Sequence, residues 1–169
     1  MKNIHYLMTV FCLGLLQKAT SGNAQGLPDN KFGEIYSEHI KWSPFPAFPP
    51  QARLAVLVGD PKKTGPYVIR VRVPAGVKLQ PHTHPENRIY TVISGVFYIG
   101  IGAKFDAVKL KAYPPGSVVI LPGNTPHFHW ARSGSYETQV TANGPLGISY
   151  IVASDDPRNK TNSDKKHKK

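Results

Sequence analysis

Short runs of alternating hydrophobic and polar residues fill the middle of the chain. In the clearest run, positions 67, 69, 71 and 73 are tyrosine, isoleucine and two valines, and Arg70 and Arg72 stand between them. Successive side chains of a β-strand point to opposite faces, so this run predicts a strand with one buried and one solvated face.

The same pattern predicts an all-β chain. Further strands are predicted at Arg53–Val58, Arg88–Ser94, Val96–Ile101, Ser117–Leu121, His127–Arg132, Tyr136–Thr141 and Gly147–Val152. Gly95 separates two of these runs as a hairpin residue, and only turns of helix are expected, at Asn30–His39 and Asp106–Lys111. Short strands punctuated by 16 prolines and 15 glycines predict a sandwich or a barrel of the jelly-roll type.

The first 24 residues have the features of a signal peptide. Lys2 gives a positive start, an apolar run covers Leu7–Leu16, and small residues precede a cleavage point after Ala24. The run is shorter than the roughly 20 residues that a membrane span needs. The alternative is an amphipathic helix that stays attached. A signal peptide predicts a periplasmic or secreted protein.

Cys12 is the single cysteine of the chain and lies inside this segment. Phe11 stands where a lipid-modified cysteine is preceded by a small residue, so no stable membrane anchor is expected. The mature chain would then contain no disulfide, no thiolate metal ligand and no cysteine nucleophile.

Charge and composition divide the rest of the chain into an N-terminal arm (25–52), a barrel domain (53–157) and a basic, disordered tail (158–169). Removing the +2 of the leader and the +5 of the tail from the formal +11 leaves +4, an ordinary solubility charge that indicates no nucleic-acid partner. The tail is expected to be solvated, with a weak hold on anionic lipid or polymer as the alternative. The proline-rich stretch 43–51 is expected to lie across the barrel or across a neighbouring subunit.

Two His-x-His pairs carry the chemistry of the sequence. They are His82 with His84, and His127 with His129, in a chain of seven histidines. Residues i and i+2 of a strand project to the same side, so each pair can present two imidazoles to one ion. Neutral imidazole is a ligand for zinc, copper, iron and nickel.

On these strands the two histidine regions resemble the motifs of the cupin superfamily, in particular small single-domain bacterial cupins of the conserved-barrel type. Gly76, His82, His84 and Gly95 fall on the first motif, and Gly116, Pro122 and His127 fall on the second. The resemblance covers roughly residues 41–158 and implies a double-stranded β-helix, which is a jelly-roll barrel. It also implies that His82, His84 and His127 bind one divalent transition metal (Fe, Zn, Mn, Ni or Cu).

The sequence departs from the cupin pattern at three positions. Arg88 stands where the motif has its metal-binding glutamate, Ala131 where it has asparagine, and Asn124 where the second motif has glycine. A guanidinium cannot act as a metal ligand and repels a cation inside a barrel. Three alternatives follow: Arg88 turns outward or binds an anionic substrate, Glu86 reaches in from its loop, or His129 is the fourth ligand.

His129 and Glu86 also have structural interpretations. If His127 points inward then so does His129, either as a ligand or as a core histidine bonded to Tyr90, Tyr98 or a backbone carbonyl. Glu86 is otherwise expected to be a surface loop carboxylate.

The resemblance leads to one main functional hypothesis and two alternatives. The first is an exported metal-dependent enzyme, an oxygenase or an isomerase or lyase, acting on a small organic molecule. Arg88, Tyr90 and His129 are its candidate catalytic residues, with Arg88 suited to a substrate carboxylate. The second is a metal or small-ligand binding or sensor protein without turnover, and the third is a degenerate barrel serving an interface. A homodimer is an open possibility because cupin barrels commonly pair.

Overall fold

The computed structural model describes residues 33–159, which form ten strands and three short 3₁₀ turns. The strands are β1 (Arg53–Val58), β2 (Gly65–Val73), β3 (Lys78–Thr83), β4 (Arg88–Ser94), β5 (Phe97–Ile101), β6 (Lys111–Tyr113), β7 (Val118–Leu121), β8 (His127–Trp130), β9 (Tyr136–Gly144) and β10 (Ser149–Tyr150). The turns are Ser37–His39, Ala107–Lys109 and Ala153–Asp155. The predicted signal peptide, part of the arm and most of the basic tail lie outside the described residues.

Two five-stranded antiparallel sheets make up the barrel. The first has the order β1-β2-β9-β4-β7 and the second the order β10-β3-β8-β5-β6. The pairs β1–β2 and β5–β6 are neighbours within one sheet, and all other consecutive strands cross from one sheet to the other, which gives the predicted jelly-roll barrel. No helix among residues 33–159 is long and apolar enough to cross a membrane.

The face of β2 that was predicted to be buried is buried. Tyr67, Ile69 and Val73 are fully buried and Val71 is nearly so, while Arg70 and Arg72 lie on the outer face and share an ion pair with Glu137. These two arginines therefore belong to the solvated side of the first sheet.

On β4 the sequence alone did not distinguish the two faces, because both are largely apolar. The structure places Arg88, Tyr90 and Val92 inside the barrel, and leaves Ile89 46% and Ile93 37% exposed. The face of β4 that carries a charged residue is therefore buried, and the face that carries two isoleucines is partly exposed to solvent.

Two observed strands are absent from the predicted set. β3 was missed because Pro81 and several polar residues interrupt its alternation, although His82 and His84 were expected on a strand; His82 lies on β3 and His84 directly after it. β6 spans only Lys111–Tyr113, and the helical turn expected at 106–111 is limited to Ala107–Lys109. The side chain of Asp106 caps that turn by accepting a hydrogen bond from Val108 N at 2.9 Å.

The hairpin role predicted for Gly95 is wrong, because β4 and β5 do not pair and lie in different sheets; Gly95 instead turns the chain from the first sheet to the second. Its φ is +67°, a left-handed conformation that favours glycine, and an added Cβ would lie 2.1 Å from the carbonyl oxygen of Ser135. Only a glycine fits at this turn between β4 and β5.

Candidate metal centre

Four histidines meet inside the barrel, between β3 and β8. His82 lies opposite His127 in the register of the two strands, and their ring centroids are 4.3 Å apart. His84 follows the end of β3, with its ring 4.9 Å from His82 and 5.1 Å from His127. His129 stands two residues after His127 on the same inner face, 5.1 Å from it. All four are buried.

Backbone carbonyls orient three of the rings through their Nδ1 atoms. His82 contacts the carbonyl oxygen of Gln80 at 2.6 Å, His84 that of Gly147 at 2.6 Å, and His127 that of Thr125 at 2.9 Å. A carbonyl oxygen can only accept, so each Nδ1 carries the proton and donates. In a neutral imidazole the Nε2 atom is then left with a free lone pair, as in metal-binding histidines.

Three of the inward Nε2 atoms have no hydrogen-bond partner among the described residues. They belong to His82, His127 and His129, and the ligand atoms of these three side chains lie within 4.8 Å of one another. Buried polar atoms are normally paired, so three unpartnered nitrogens at this spacing indicate a shared partner. A divalent transition metal fits that donor set.

His129 thus lies closer to the centre of the site than its sequence position indicated. Its Nδ1 is 3.4 Å from the hydroxyl of Tyr136, whereas the core interpretation named Tyr90, Tyr98 or a carbonyl as the hydrogen-bond partner; the Tyr90 ring is in edge contact with His129 at 6.0 Å. The cupin resemblance predicts His82, His84 and His127 as the metal ligands, and this stays a prediction. The geometry makes His129 an equally strong candidate ligand.

Arg88 points into the barrel and does not turn outward. Its Nε donates to Oε1 of Glu86 at 2.9 Å, and its Nη2 donates to the same oxygen. The two side chains are 2% and 7% exposed. Because they form a neutral pair, Glu86 offsets the repulsion that the guanidinium would exert on a cation in the site.

The expectation of a surface carboxylate at Glu86 is therefore wrong, and its oxygens are also occupied. Oε1 accepts a hydrogen bond from the hydroxyl of Tyr67 at 2.8 Å, and Oε2 accepts one from Gly147 N at 3.2 Å. A carboxylate that is used by Arg88, Tyr67 and a backbone amide is held as a counterion rather than offered as a metal ligand.

Gly147 joins the ion pair to the histidines. Its N–H donates to Glu86 and its carbonyl accepts from His84, so one residue orients members of both groups. An added Cβ at Gly147 would lie 2.7 Å from the ring of Pro85. The sequence gives no sign of this role, because the contact joins residues that are 61 and 63 positions apart.

A small cavity of about 10 Å³ adjoins the histidines, which is room for roughly one water molecule. Arg88, Tyr90 and His129, the three predicted catalytic candidates, all line it. The hydroxyl of Tyr90 has no hydrogen-bond partner within the described part of the chain. Burial raises the pKa of this hydroxyl, so it stays protonated and is available as a donor.

No protein-family model matches the sequence, and no curated protein matches it. Solved structures do match. The polyketide cyclase RemF from Streptomyces resistomycificus superposes with a TM-score of 0.61 at 16% identity, over 78% of this chain and 94% of that one. A cupin-2 domain protein from Rhodospirillum rubrum superposes with a TM-score of 0.55 at 14% identity, over 73% of this chain and 82% of that one.

The chain has the cupin fold. The DMSP lyase DddQ from Ruegeria pomeroyi also shares it, with a TM-score of 0.52 at 18% identity over 65% of this chain and 60% of that one. At these identities the likeness concerns the fold, and each of these activities belongs to the protein named with it.

The cupin motifs sit at the site in a modified form. Asn124, at the position of the second-motif glycine, has φ +59°, which asparagine tolerates better than most residues. Its N–H donates to the carbonyl oxygen of His84 at 2.6 Å, so this turn holds the end of β3. Ala131, at the asparagine position, is fully buried.

The four histidines of the site are neutral at neutral pH. Burial lowers the pKa of His127 to about 4, and it holds the pKa values of His82, His84 and His129 well below their usual range. The charges of neighbouring histidines and of Arg88 act in the same direction. A metal ion therefore meets little competition from protons at this site near pH 7.

Lowering the pH from 7 to 5 is expected to destabilise the metal-free protein. The pKa of His127 in the folded protein lies below that of an unfolded histidine, so the unfolded chain binds more protons between pH 7 and pH 5. The free energy of unfolding therefore decreases as the pH is lowered. His127 alone accounts for about 2 kcal/mol, and the other three add to it. Urea unfolding with a chelator present, at pH 7 and pH 5, measures the loss. An unchanged free energy of unfolding would contradict neutral, buried imidazoles.

Proposed function

We propose that this cupin is a metal-dependent enzyme acting on a small organic molecule, of the oxygenase or the isomerase or lyase class. The observation that carries the proposal is the set of three partnerless Nε2 atoms on His82, His127 and His129. Three imidazoles leave coordination positions open, as catalytic metal sites do. The cupin fold is shared with a polyketide cyclase and a DMSP lyase, which supports an enzyme.

The metal would supply a Lewis acid or a binding position for dioxygen. The chain itself contributes the surroundings. Arg88 and Tyr90 present hydrogen-bond donors at the cavity, suited to a carboxylate or another oxygen of the ligand. Because Glu86 neutralises Arg88, recognition would depend on the direction of these donors more than on net charge. The protonated hydroxyl of Tyr90 is the candidate proton donor.

The metal is tested first, by elemental analysis of the purified protein before and after reconstitution with Fe, Zn, Mn, Ni and Cu. About one equivalent of one metal per chain is expected. Less than about a tenth of an equivalent of every metal would refute the proposal, because the partnerless nitrogens would then have no ion to bind.

Turnover is tested next with a panel of carboxylates, phenols and diketones, by product formation and oxygen uptake. Wild type is compared with His82→Ala, and with His39→Ala as an exposed control histidine. Activity is expected in wild type and the control but not in His82→Ala. Equal rates in all three proteins would remove the histidine site from the chemistry.

The second candidate is a metal or small-ligand binding protein without turnover. The cavity of about 10 Å³ favours it, since so little free space suits a small ligand better than a large substrate. Stoichiometric metal with no turnover on the whole panel, together with a spectral response to small ligands, would select this function.

Export is part of the proposal. It rests on the signal-peptide pattern of residues 1–24. Expression of the full chain in a bacterium, followed by fractionation and N-terminal sequencing, is expected to give a periplasmic or secreted product starting at Gln25. A cytoplasmic product that retains Met1 would contradict export.

A further inference from the structure

One wall of the cavity at the histidine site is built differently from the others. The remaining lining residues lie on β-strands, or directly after β3 in the case of His84, where ladder hydrogen bonds fix them. Phe48 comes instead from the proline-rich loop 44–51, outside every named strand, and is 4% exposed. It is therefore the lining residue that can move without breaking a sheet.

The loop is closed at its base and stiff along its length. Ser43 and Leu54 exchange two backbone hydrogen bonds of 2.9 Å, which form the isolated bridge where the loop begins and ends. Pro44, Pro46, Pro49 and Pro50 fix φ at four positions between them. Such a loop is expected to move as one piece about its base rather than to unravel.

A hydrogen bond from Tyr150 and the burial of Ala47 and Phe48 in the core hold the loop on the barrel. The hydroxyl of Tyr150 donates to the carbonyl oxygen of Ala47 at 2.7 Å, and the ring of Tyr150 is 5.5 Å from the ring of His82. The ring of Phe45 packs edge-on against Phe48 at 4.9 Å without lining the cavity. Opening the loop breaks the Tyr150 hydrogen bond and exposes Ala47 and Phe48, so the open form is a minor state reached by local unfolding.

We propose that Phe48 sets the upper size limit for ligands of the histidine site, and that loop 44–51 is the closure through which they enter. With the phenyl ring in place the cavity admits about one water molecule. Removing the ring leaves an apolar hole beside the histidines, of the kind that binds a benzene-sized group. The proposal deepens the proposed function, and one of its two tests does not depend on metal.

The first test loads the full-length protein with Co²⁺ and follows its visible absorption during titration with azide or with 4-phenylimidazole. Wild type is expected to bind azide and to exclude 4-phenylimidazole. In Phe48→Ala the affinity for 4-phenylimidazole rises by about tenfold or more, while that for azide changes by less than about threefold. Phe45→Ala is the matched control and keeps the wild-type preference. The same ratio of the two affinities in wild type and Phe48→Ala would overturn the size limit.

The second test uses metal-free protein and diethyl pyrocarbonate, which acylates unprotonated imidazole nitrogen, with peptide mapping to locate the products. In wild type His82 and His129 should react about tenfold more slowly than exposed His39, because reaction waits for local opening. Phe48→Ala and Tyr150→Phe should each speed their acylation by about fivefold, the second by removing the hydroxyl that holds Ala47. Unchanged rates in both variants would overturn the closure.

The two tests separate the two proposals. Absence of Co²⁺ binding would count against the proposed function, and the acylation rates would still decide on the closure. Circular dichroism and thermal melting check that each variant is folded. If Phe48→Ala does not fold, Phe48→Leu serves in its place, with smaller changes expected in the same directions.

Discussion

Replacing Glu86 by glutamine is expected to destabilise the protein by about 3–5 kcal/mol, because it leaves the guanidinium of Arg88 buried without a counterion. Glutamine has nearly the shape of glutamate and can still bond to Tyr67, so the lost charge is the principal change. Arg88 is 2% exposed and has little access to water that could replace the carboxylate. Urea unfolding of the metal-free protein at pH 7 measures the effect.

Glu137→Gln is the matched control for this prediction. Glu137 also pairs with arginine and its own side chain is only 9% exposed, but its partners Arg70 and Arg72 lie on the outer face with 21% and 52% of their side chains exposed. Solvent screens such pairs, so a loss of about 1 kcal/mol or less is expected. Equal losses in the two variants would show that Glu86 and Arg88 do not depend on each other inside the barrel.

A double variant completes the thermodynamic cycle. Glu86→Gln combined with Arg88→Met removes both charges, and it should recover most of the stability because no uncompensated ion remains.

Glu86→Gln should also weaken metal binding by about 10- to 100-fold, since Gly147 links Glu86 to the ring of His84. Unchanged metal affinity would limit the role of Glu86 to stability.

The second large effect is expected from His82→Ala, which should reduce metal affinity by about 100-fold or more. A metal site held by three or four side chains draws about 3 kcal/mol or more from each, and that energy corresponds to such a factor. His82 is the central ring of the cluster, with the rings of His84, His127 and His129 all within 5.5 Å of it. Competition titration with a chromophoric chelator measures the affinity, and His39→Ala serves as the control.

His84→Ala and His129→Ala decide which residue completes the ligand set. The 4.8 Å group of ligand atoms contains His129 and not His84, so the larger loss of affinity is expected for His129→Ala. The cupin motif predicts the opposite order. A larger loss in His84→Ala would restore the motif assignment, with His129 as a neighbour of the ligands.

By itself the sequence determined the features that depend on local order. Alternation along the strands and the glycines between them predicted an all-β barrel, and the bounds of β1 and β4 agree at both ends. The i, i+2 spacing predicted that both members of each His-x-His pair face one way, and all four rings meet. The motif spacing picked out His82, His84 and His127 because cupin ligands recur at fixed distances along the chain.

Only the tertiary structure decided how the site is completed, because the deciding contacts join distant segments. Glu86 looked like a loop carboxylate until Arg88, Tyr67 and Gly147 enclosed it. The inner face of β4 could not be read from its residues, since both of its faces are largely apolar and burial depends on the opposite sheet. Phe48, from a stretch that the sequence placed across the barrel or across a neighbouring subunit, forms one wall of the cavity. Burial and partner choice are set by which strands pack together, and a linear pattern does not contain that information.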